Sequence, residues 1–473
     1  MERREFLGGA LASLLPLNGV AAGRDADVIV VGAGLAGLHA AALLEELGAR
    51  VLIVEARSRP GGRLKSLSEL PGAPEAGANV IADGYARLVD TARRLGVELV
   101  TERDTGFGGA DTTLLAVNGT QLPLSAWESA AVNPFTEPEW RSLPPFRVAG
   151  RVVSQTNPLT SLNEWRAQKS ARLDRSAYAV MSEAGFGAAE IALAFERNHG
   201  YATSAHTISM LRLWQGDTWI KAQLRAGRGL YHARGGNERI PEAMAARLRA
   251  EQVYGMEVAA VRSGADRAEV VGRNGRRLRA KFVIVSVPFP AARFLRFEPG
   301  LPAPQSQAIA ALAYTPVFQL HFVPTAPYWE ADELPVNMWT DTLAGRVFSQ
   351  RRHDDDDGIS SLMCFVSGRS AAYLDRLPLA DAARHVQDAL YRLRPAARDK
   401  LEAVSAVSWQ RDPYAGGAYA AWAPGQVAAF AQTLARPVRR VHFAGEHTAQ
   451  LERGMEGAME SGERAAFEVI ERL

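Results

Sequence analysis

Three glycines, Gly32, Gly34 and Gly37, stand in the spacing G-x-G-x-x-G directly after the apolar run Val28 to Val31. An acid, Glu55, closes a second apolar run, Val51 to Val54, and lies 23 positions after Gly32. These residue types at this spacing suit the holding of a dinucleotide. The first glycine permits a tight turn, the second lets the backbone approach a pyrophosphate, and the third lets a helix lie close on a strand. The helix then opens at Leu35 and Ala36, with unpaired N–H groups and the positive end of its dipole toward the phosphates. Glu55, followed by Ala56, can accept hydrogen bonds from ribose hydroxyls. Further on, EARSRPGGR (Glu55 to Arg63) supplies a second glycine turn, Gly61-Gly62, with Arg57 and Arg63 to hold phosphates from the other side. Arg59 reads equally well as part of a basic surface loop.

The elements that must carry these residues follow from the same stretch. Val28–Val31 reads as a strand, LAGLHAAALLEELGA as a helix with small residues on its packing side, and Val51–Val54 as the next strand. A glycine triplet alone is weak evidence. Strand, glycines, helix, strand and terminal acid in this order are strong evidence for a dinucleotide unit, although the unit does not decide between NAD and FAD.

The chain has 473 residues, too many for one ordinary core, and predicts two or three domains. With 47% hydrophobic and 22% charged residues it has the composition of a soluble globular protein. A formal net charge of +2 argues against nucleic acid as a main partner. The single cysteine, Cys364, excludes an internal disulfide and a CxxC metal site. The acidic run RRHDDDDG (Arg351 to Gly358) lacks the alternating ligands and closing glutamate of a calcium loop, so no metal is expected. At the N-terminus, Arg3 and Arg4 precede a diluted apolar stretch, Leu7 to Leu17, and the small residues Val20-Ala21-Ala22. This predicts a cleaved export signal over 1–23 of the twin-arginine type, which carries folded proteins, and hence a periplasmic or secreted location. No stable membrane anchor is expected after cleavage.

The chain resembles the flavin amine oxidase family, in which E-A-R-x-R-x-G-G-R follows the first β-α-β unit. Three later segments carry the same resemblance: HARGGNERIPEAMAARL (His232 to Leu248), SWQRDPYAGGAYAAWAPG (Ser408 to Gly425) and VHFAGEHTAQLERGMEGAMESGERAA (Val441 to Ala466). The resemblance implies an α/β protein with a Rossmann-like FAD-binding domain and an interleaved α+β substrate domain. It implies that residues 27–84, 228–300 and 403–473 build the FAD domain and 85–227 and 301–402 the substrate domain. It places Gly77, Ala78, Asn79, Gly445, Glu446 and Met455 beside the cofactor, and Val258 at the adenine. Its final helix aims its N-terminus at the flavin, where negative charge develops on reduction. The implied reaction is FAD-dependent oxidation of a small-molecule amine to an imine, with O2 or a periplasmic acceptor taking the electrons. A homodimer is within its scope. FAD loading before export would explain a twin-arginine signal.

Departures from the family pattern refine this. The covalent flavin link of some members uses a cysteine where this chain has Ala418, so non-covalent FAD is expected. Of two aromatic residues that flank the substrate nitrogen, Tyr419 is kept. The second position falls on Gly454 or Met455, which implies a larger or differently shaped substrate; Trp422 could substitute or belong to the core. The family's active-site lysine, which assists reaction with oxygen, falls on Gln319, ten residues before Trp329. Glutamine can hold a water but brings no positive charge. Where amino-acid oxidases of this type carry an arginine for the substrate carboxylate, Asn79 stands, so an amine without a carboxylate is expected, with Arg212 as a cation that could alter this. His199, His206 and Trp214 read as packing residues. An L-amino-acid oxidase, a flavin desaturase or protoporphyrinogen-oxidase-like enzyme, and a plain electron carrier are the alternatives.

Overall fold

The structure, a computed structural model, describes residues 26–101, 113–196, 201, 203–351 and 358–473. The expected export signal, His199 and the aspartates 354–357 lie outside the described residues.

Val28 to Val31 are apolar at every position rather than alternately, the pattern of a strand covered on both faces. Strand Ala26–Val31 accordingly sits in the middle of an eight-stranded sheet, parallel to Val51–Val54 on one side and to Arg277–Val285 on the other. Glu251–Val253 extends one flank, Val441–Phe443 pairs in parallel with Val283–Val285, and the hairpin Val258–Ser263/Ala268–Gly272 with Arg296–Glu298 completes the other flank. Strands more than 400 positions apart thus meet in one sheet (Ala26 and Phe443). Helices Leu35–Glu46 and Gly454–Ile470 share one face of it, where Leu38, Leu44, Met459 and Val469 pack with Val28 and Val30. They approach so closely that a Cβ on Gly462 would lie 2.2 Å from the Ala36 carbonyl oxygen.

A second, seven-stranded sheet runs in the order Leu401–Ser408, Val317–Pro324, Ser361–Ser367, Arg346–Gln350, Asn337–Thr340, Thr113–Val117, Thr120–Pro123. Strand Val317–Pro324 obeys a period of two. Phe318, Leu320 and Phe322 pack with Val386 and Leu390 of helix Leu379–Leu393, which leaves Val317 and Gln319 on the opposite face. The expected boundary at 403 falls inside strand Leu401–Ser408. That strand pairs with Val317–Pro324 along its length and belongs to this sheet. A helical layer over Pro145–Ala226 encloses a third core containing Trp127, Trp165, Trp214 and Trp422. Among the described residues, no helix is long and apolar enough to cross a membrane and no cluster of acids, histidines or cysteines could hold a metal.

Candidate functional site

A cavity of about 640 Å³ begins at the carboxyl ends of the parallel strands and reaches the second sheet. Every residue singled out from the sequence as a site residue lines it except Gly37, and Gln319 and Tyr419 stand on its wall with Gly32, Glu55 and Met455. Gly37 lies behind the wall. A Cβ there would meet the Gly32 carbonyl oxygen at 2.0 Å, so its role is the close helix–strand contact.

Each local feature has a physical origin. Gly32 takes φ +107°, a left-handed backbone that favours glycine, and Ser286 Oγ donates to the carbonyls of Val31 and Gly32 at 2.9 and 3.1 Å to hold the turn. At Gly34 a Cβ would have nothing within 4 Å, so the chain presents bare backbone to open space. Glu55 is fixed by two backbone N–H groups, Ala33 to Oε2 and Arg57 to Oε1, both at 2.8 Å. The remaining lone pairs face the cavity and can accept from hydroxyls.

The arginines differ from expectation. Arg57 Nη2 forms an ion pair with Asp412 at 2.5 Å and lies over the Tyr414 ring. Arg63 Nη1 donates to the Ala418 carbonyl at 2.8 Å and to Glu446 Oε1 at 3.0 Å. Both charges already have an acid, so neither is a free phosphate clamp. Arg59 donates to the carbonyls of Pro60, Gly62 and Leu64 and locks the glycine turn. The helix N-terminus and the backbone at Gly34, Leu35 and Ala36 line the same cavity and can meet phosphate without any side-chain charge.

At the far end, Glu446 accepts from Ala420 N–H as well as from Arg63. Burial alone would raise its carboxyl, but Arg63 and that N–H hold it below the ordinary value. Burial pushes the Tyr419 hydroxyl up to about 12, so it stays neutral. Gln319 is buried against Phe365 of the neighbouring strand, and its Oε1 lies 3.4 Å from Nε2 of His321, which burial holds down to about 4 and therefore neutral. Ala418 lines the cavity without a thiol; Cys364 is buried in strand Ser361–Ser367, and burial raises its pKa. The cofactor is therefore expected to leave quantitatively on denaturation: filtration of urea-unfolded protein should pass all of the flavin. Flavin retained with the chain would contradict this.

Trp422 does not replace the second aromatic. It is 2% exposed and packs edge-on against Trp165 at 5.4 Å, off the cavity. Gly454, with φ +57° and open space before it, leaves that position bare. His206 is exposed and stacks on Tyr178, and Trp214 donates to Thr156. The sequence reading missed Ser286, Phe365 and the pair Tyr414–Glu257, whose side chains hydrogen-bond at the cavity wall. Ser286 had a signal, standing directly after the strand FVIV; the others depend on pairings that no local pattern reveals.

The wall fits a dinucleotide with a ring system beyond it. Bare glycines, a helix N-terminus and a pre-fixed acid lie toward one end, and Gln319, Tyr419 and Met455 toward the other. Comparison with known proteins agrees. Residues 35–470 match the family model described as flavin containing amine oxidoreductase. Amine oxidase [flavin-containing] B of Homo sapiens is 26% identical over 469 residues, covering 94% of this chain and 86% of that protein. Amine oxidase [flavin-containing] A of Equus caballus is 26% identical over 478 residues, covering 96% and 86%. Cyclohexylamine oxidase from Brevibacterium oxydans shares the fold with a TM-score of 0.77 at 23% identity, covering 95% of this chain and 99% of that one. Putrescine oxidase bound to putrescine does so with a TM-score of 0.74 at 22% identity, covering 95% and 100%.

Proposed function

The chain belongs to the flavin containing amine oxidoreductase family and is an FAD-dependent amine oxidoreductase; from that premise we propose how its residues divide the work. The carrying observation is that the glycine turn, Glu55 and the residues around Gly445 and Tyr419 share one cavity. Gly32, Gly34 and the N-terminus of helix Leu35–Glu46 hold the pyrophosphate, Glu55 the ribose, and the wall at Val258 the adenine. Bound FAD supplies a two-electron acceptor, taking a hydride equivalent from the carbon beside the amine nitrogen to leave an imine that water hydrolyses.

The chain's own contribution is position and a low dielectric. Tyr419, neutral and rigidly placed by its strand-like pairing to Thr315, orients the amine. A buried wall favours the neutral amine, the form that can be oxidised. No acid or histidine is needed as a base; His321 and His447 are held neutral by burial, His447 at about 3.

Gln319 sets the speed of the return step. A neutral amide beside a neutral histidine gives no positive charge to stabilise reduced oxygen. Slow recovery of colour in air is therefore expected after anaerobic bleaching, with faster recovery on adding an artificial electron acceptor. Gln319→Lys should raise the rate in air roughly ten- to hundred-fold. Recovery as fast in the unaltered protein as in Gln319→Lys would show that Gln319 does not limit oxygen use. Arg3-Arg4 and the small residues before Gly23 support export of the folded holoprotein to the periplasm or beyond. N-terminal sequencing of the protein from that fraction tests it, and a start at Met1 in the cytoplasm would contradict it.

A further inference from the structure

Beyond Tyr419 the structure gathers charges that the cofactor cavity does not use. Arg453 immediately precedes helix Gly454–Ile470. Its Nη1 lies 2.0 Å from where a Cβ would stand on Gly216, so the guanidinium occupies the notch that this glycine leaves in helix Met210–Ala226. Tyr85, Tyr201, Tyr419 and Glu446 all act on its charge, and Arg453 in turn acts on a second guanidinium, Arg212.

Neither cation is matched. Among the described residues the Arg453 guanidinium has no hydrogen bond or ion pair. Arg212 is 4% exposed; it lies over the Trp165 ring at 4.9 Å and donates to Gln215, while its Nε has no partner. Glu446 is the acid that acts on both, and it is already committed to Arg63 and Ala420 N–H. Glu460, the other acid acting on Arg212, accepts the backbone N–H groups of Gln450, Leu451 and Glu452.

Arg453, Tyr85, Tyr201 and Tyr419 each keep part of their surface accessible. Burial nevertheless lifts Tyr85 and Tyr419 to about 12, raises Tyr201, and lowers both arginines. Gly454, which directly follows Arg453, lines the cavity together with Tyr419, so Arg453 adjoins the cavity wall.

Two like charges in a low dielectric destabilise the site unless an anion joins them. A guanidinium fork fits a carboxylate in two parallel hydrogen bonds, and neutral tyrosine hydroxyls can add donors. A second ammonium, as in a diamine, would be repelled. We propose that Arg453 and Arg212 form the anion-binding end of the substrate site, so that the amine oxidised here carries a carboxylate. This rests on the amine-oxidation reading above and replaces the expectation, drawn from Asn79, of a carboxylate-free amine.

Matched compounds test it on the holoprotein: 2-phenylethylamine with L-phenylalanine, butylamine with 4-aminobutanoate, and putrescine as the diamine. Anaerobic bleaching is followed against concentration. In at least one pair the carboxylate member should half-saturate at roughly ten- to hundred-fold lower concentration than its parent, and putrescine should be poorest. Arg453→Met should remove that preference and Arg453→Lys restore part of it. Equal or tighter binding of the parent amines in the unaltered protein overturns the proposal without any variant, as does a preference that survives Arg453→Met. Bleaching by amines without regard to carboxylate leaves amine oxidation standing and removes only this inference. Bleaching by none of them removes the reading beneath it too.

Discussion

Gly34→Val is expected to cost the protein its flavin while leaving its fold intact. Gly34 has φ −77° and ψ 176°, a backbone that valine adopts freely, and a Cβ there meets nothing within 4 Å. The apoprotein should therefore unfold in urea within about 0.5 kcal/mol of its parent. The same space is where the dinucleotide backbone must come close, so the branched side chain excludes it. Gly37→Val should do the reverse. Its Cβ would lie 2.0 Å from the Gly32 carbonyl and 3.0 Å from Val30 Cγ1, so helix and strand must separate. That change is expected to destabilise the chain by about 3 kcal/mol or more and to reduce soluble yield. Flavin-to-protein absorbance ratios and urea curves of the two variants distinguish these outcomes. Gly34→Val purified with a full complement of FAD would place the dinucleotide elsewhere.

Arg63→Ala has the second large effect. The side chain neutralises Glu446 and ties the Ala418 carbonyl, joining the glycine turn after the second strand to the segment that carries Tyr419. Without it a buried carboxylate loses its counter-charge, which costs about 3 kcal/mol. The pH dependence has a definite sign. In the parent, Glu446 is held below the ordinary glutamate value, so its contribution is present above that value and is lost as pH falls through the depressed one. In Arg63→Ala, burial is left as the dominant influence and raises the carboxyl. The variant's deficit should then be largest at neutral pH and shrink as pH falls toward 4.5, where protonated Glu446 tolerates burial. Adding Glu446→Gln to Arg63→Ala should recover part of the loss at neutral pH. A deficit that does not change with pH would mean that Arg63 acts through packing alone.

Local patterns announced the dinucleotide unit because each of its parts is a short-range requirement: an apolar strand, glycines at fixed offsets, an acid at the next strand end. The segments around Gly445 and Tyr419 were legible through their resemblance to the flavin amine oxidase family. Partnership was less legible. Arg57 and Arg63 sit where cations for phosphate are expected, but Asp412 and Glu446, more than 350 positions away, meet them first. Phe365 reaches the cavity only through its register with Gln319, which the sequence of neither strand specifies. The expected boundary at 403 falls within strand Leu401–Ser408, which is half exposed and carries no strong alternation, so its start leaves no local mark in the sequence. Arg453 and Gly216 meet because two helices more than 200 positions apart approach one another, in a region where the sequence between 90 and 230 offers no motif.

The central claim is that this one cavity holds FAD and oxidises amines. Its most direct test is the visible spectrum of the purified holoprotein, titrated anaerobically with the five compounds named above. A bound flavin that bleaches with an amine, and keeps its bleached spectrum until air or an acceptor is admitted, is the predicted result. A protein that binds no flavin, or whose flavin no amine reduces, would contradict it.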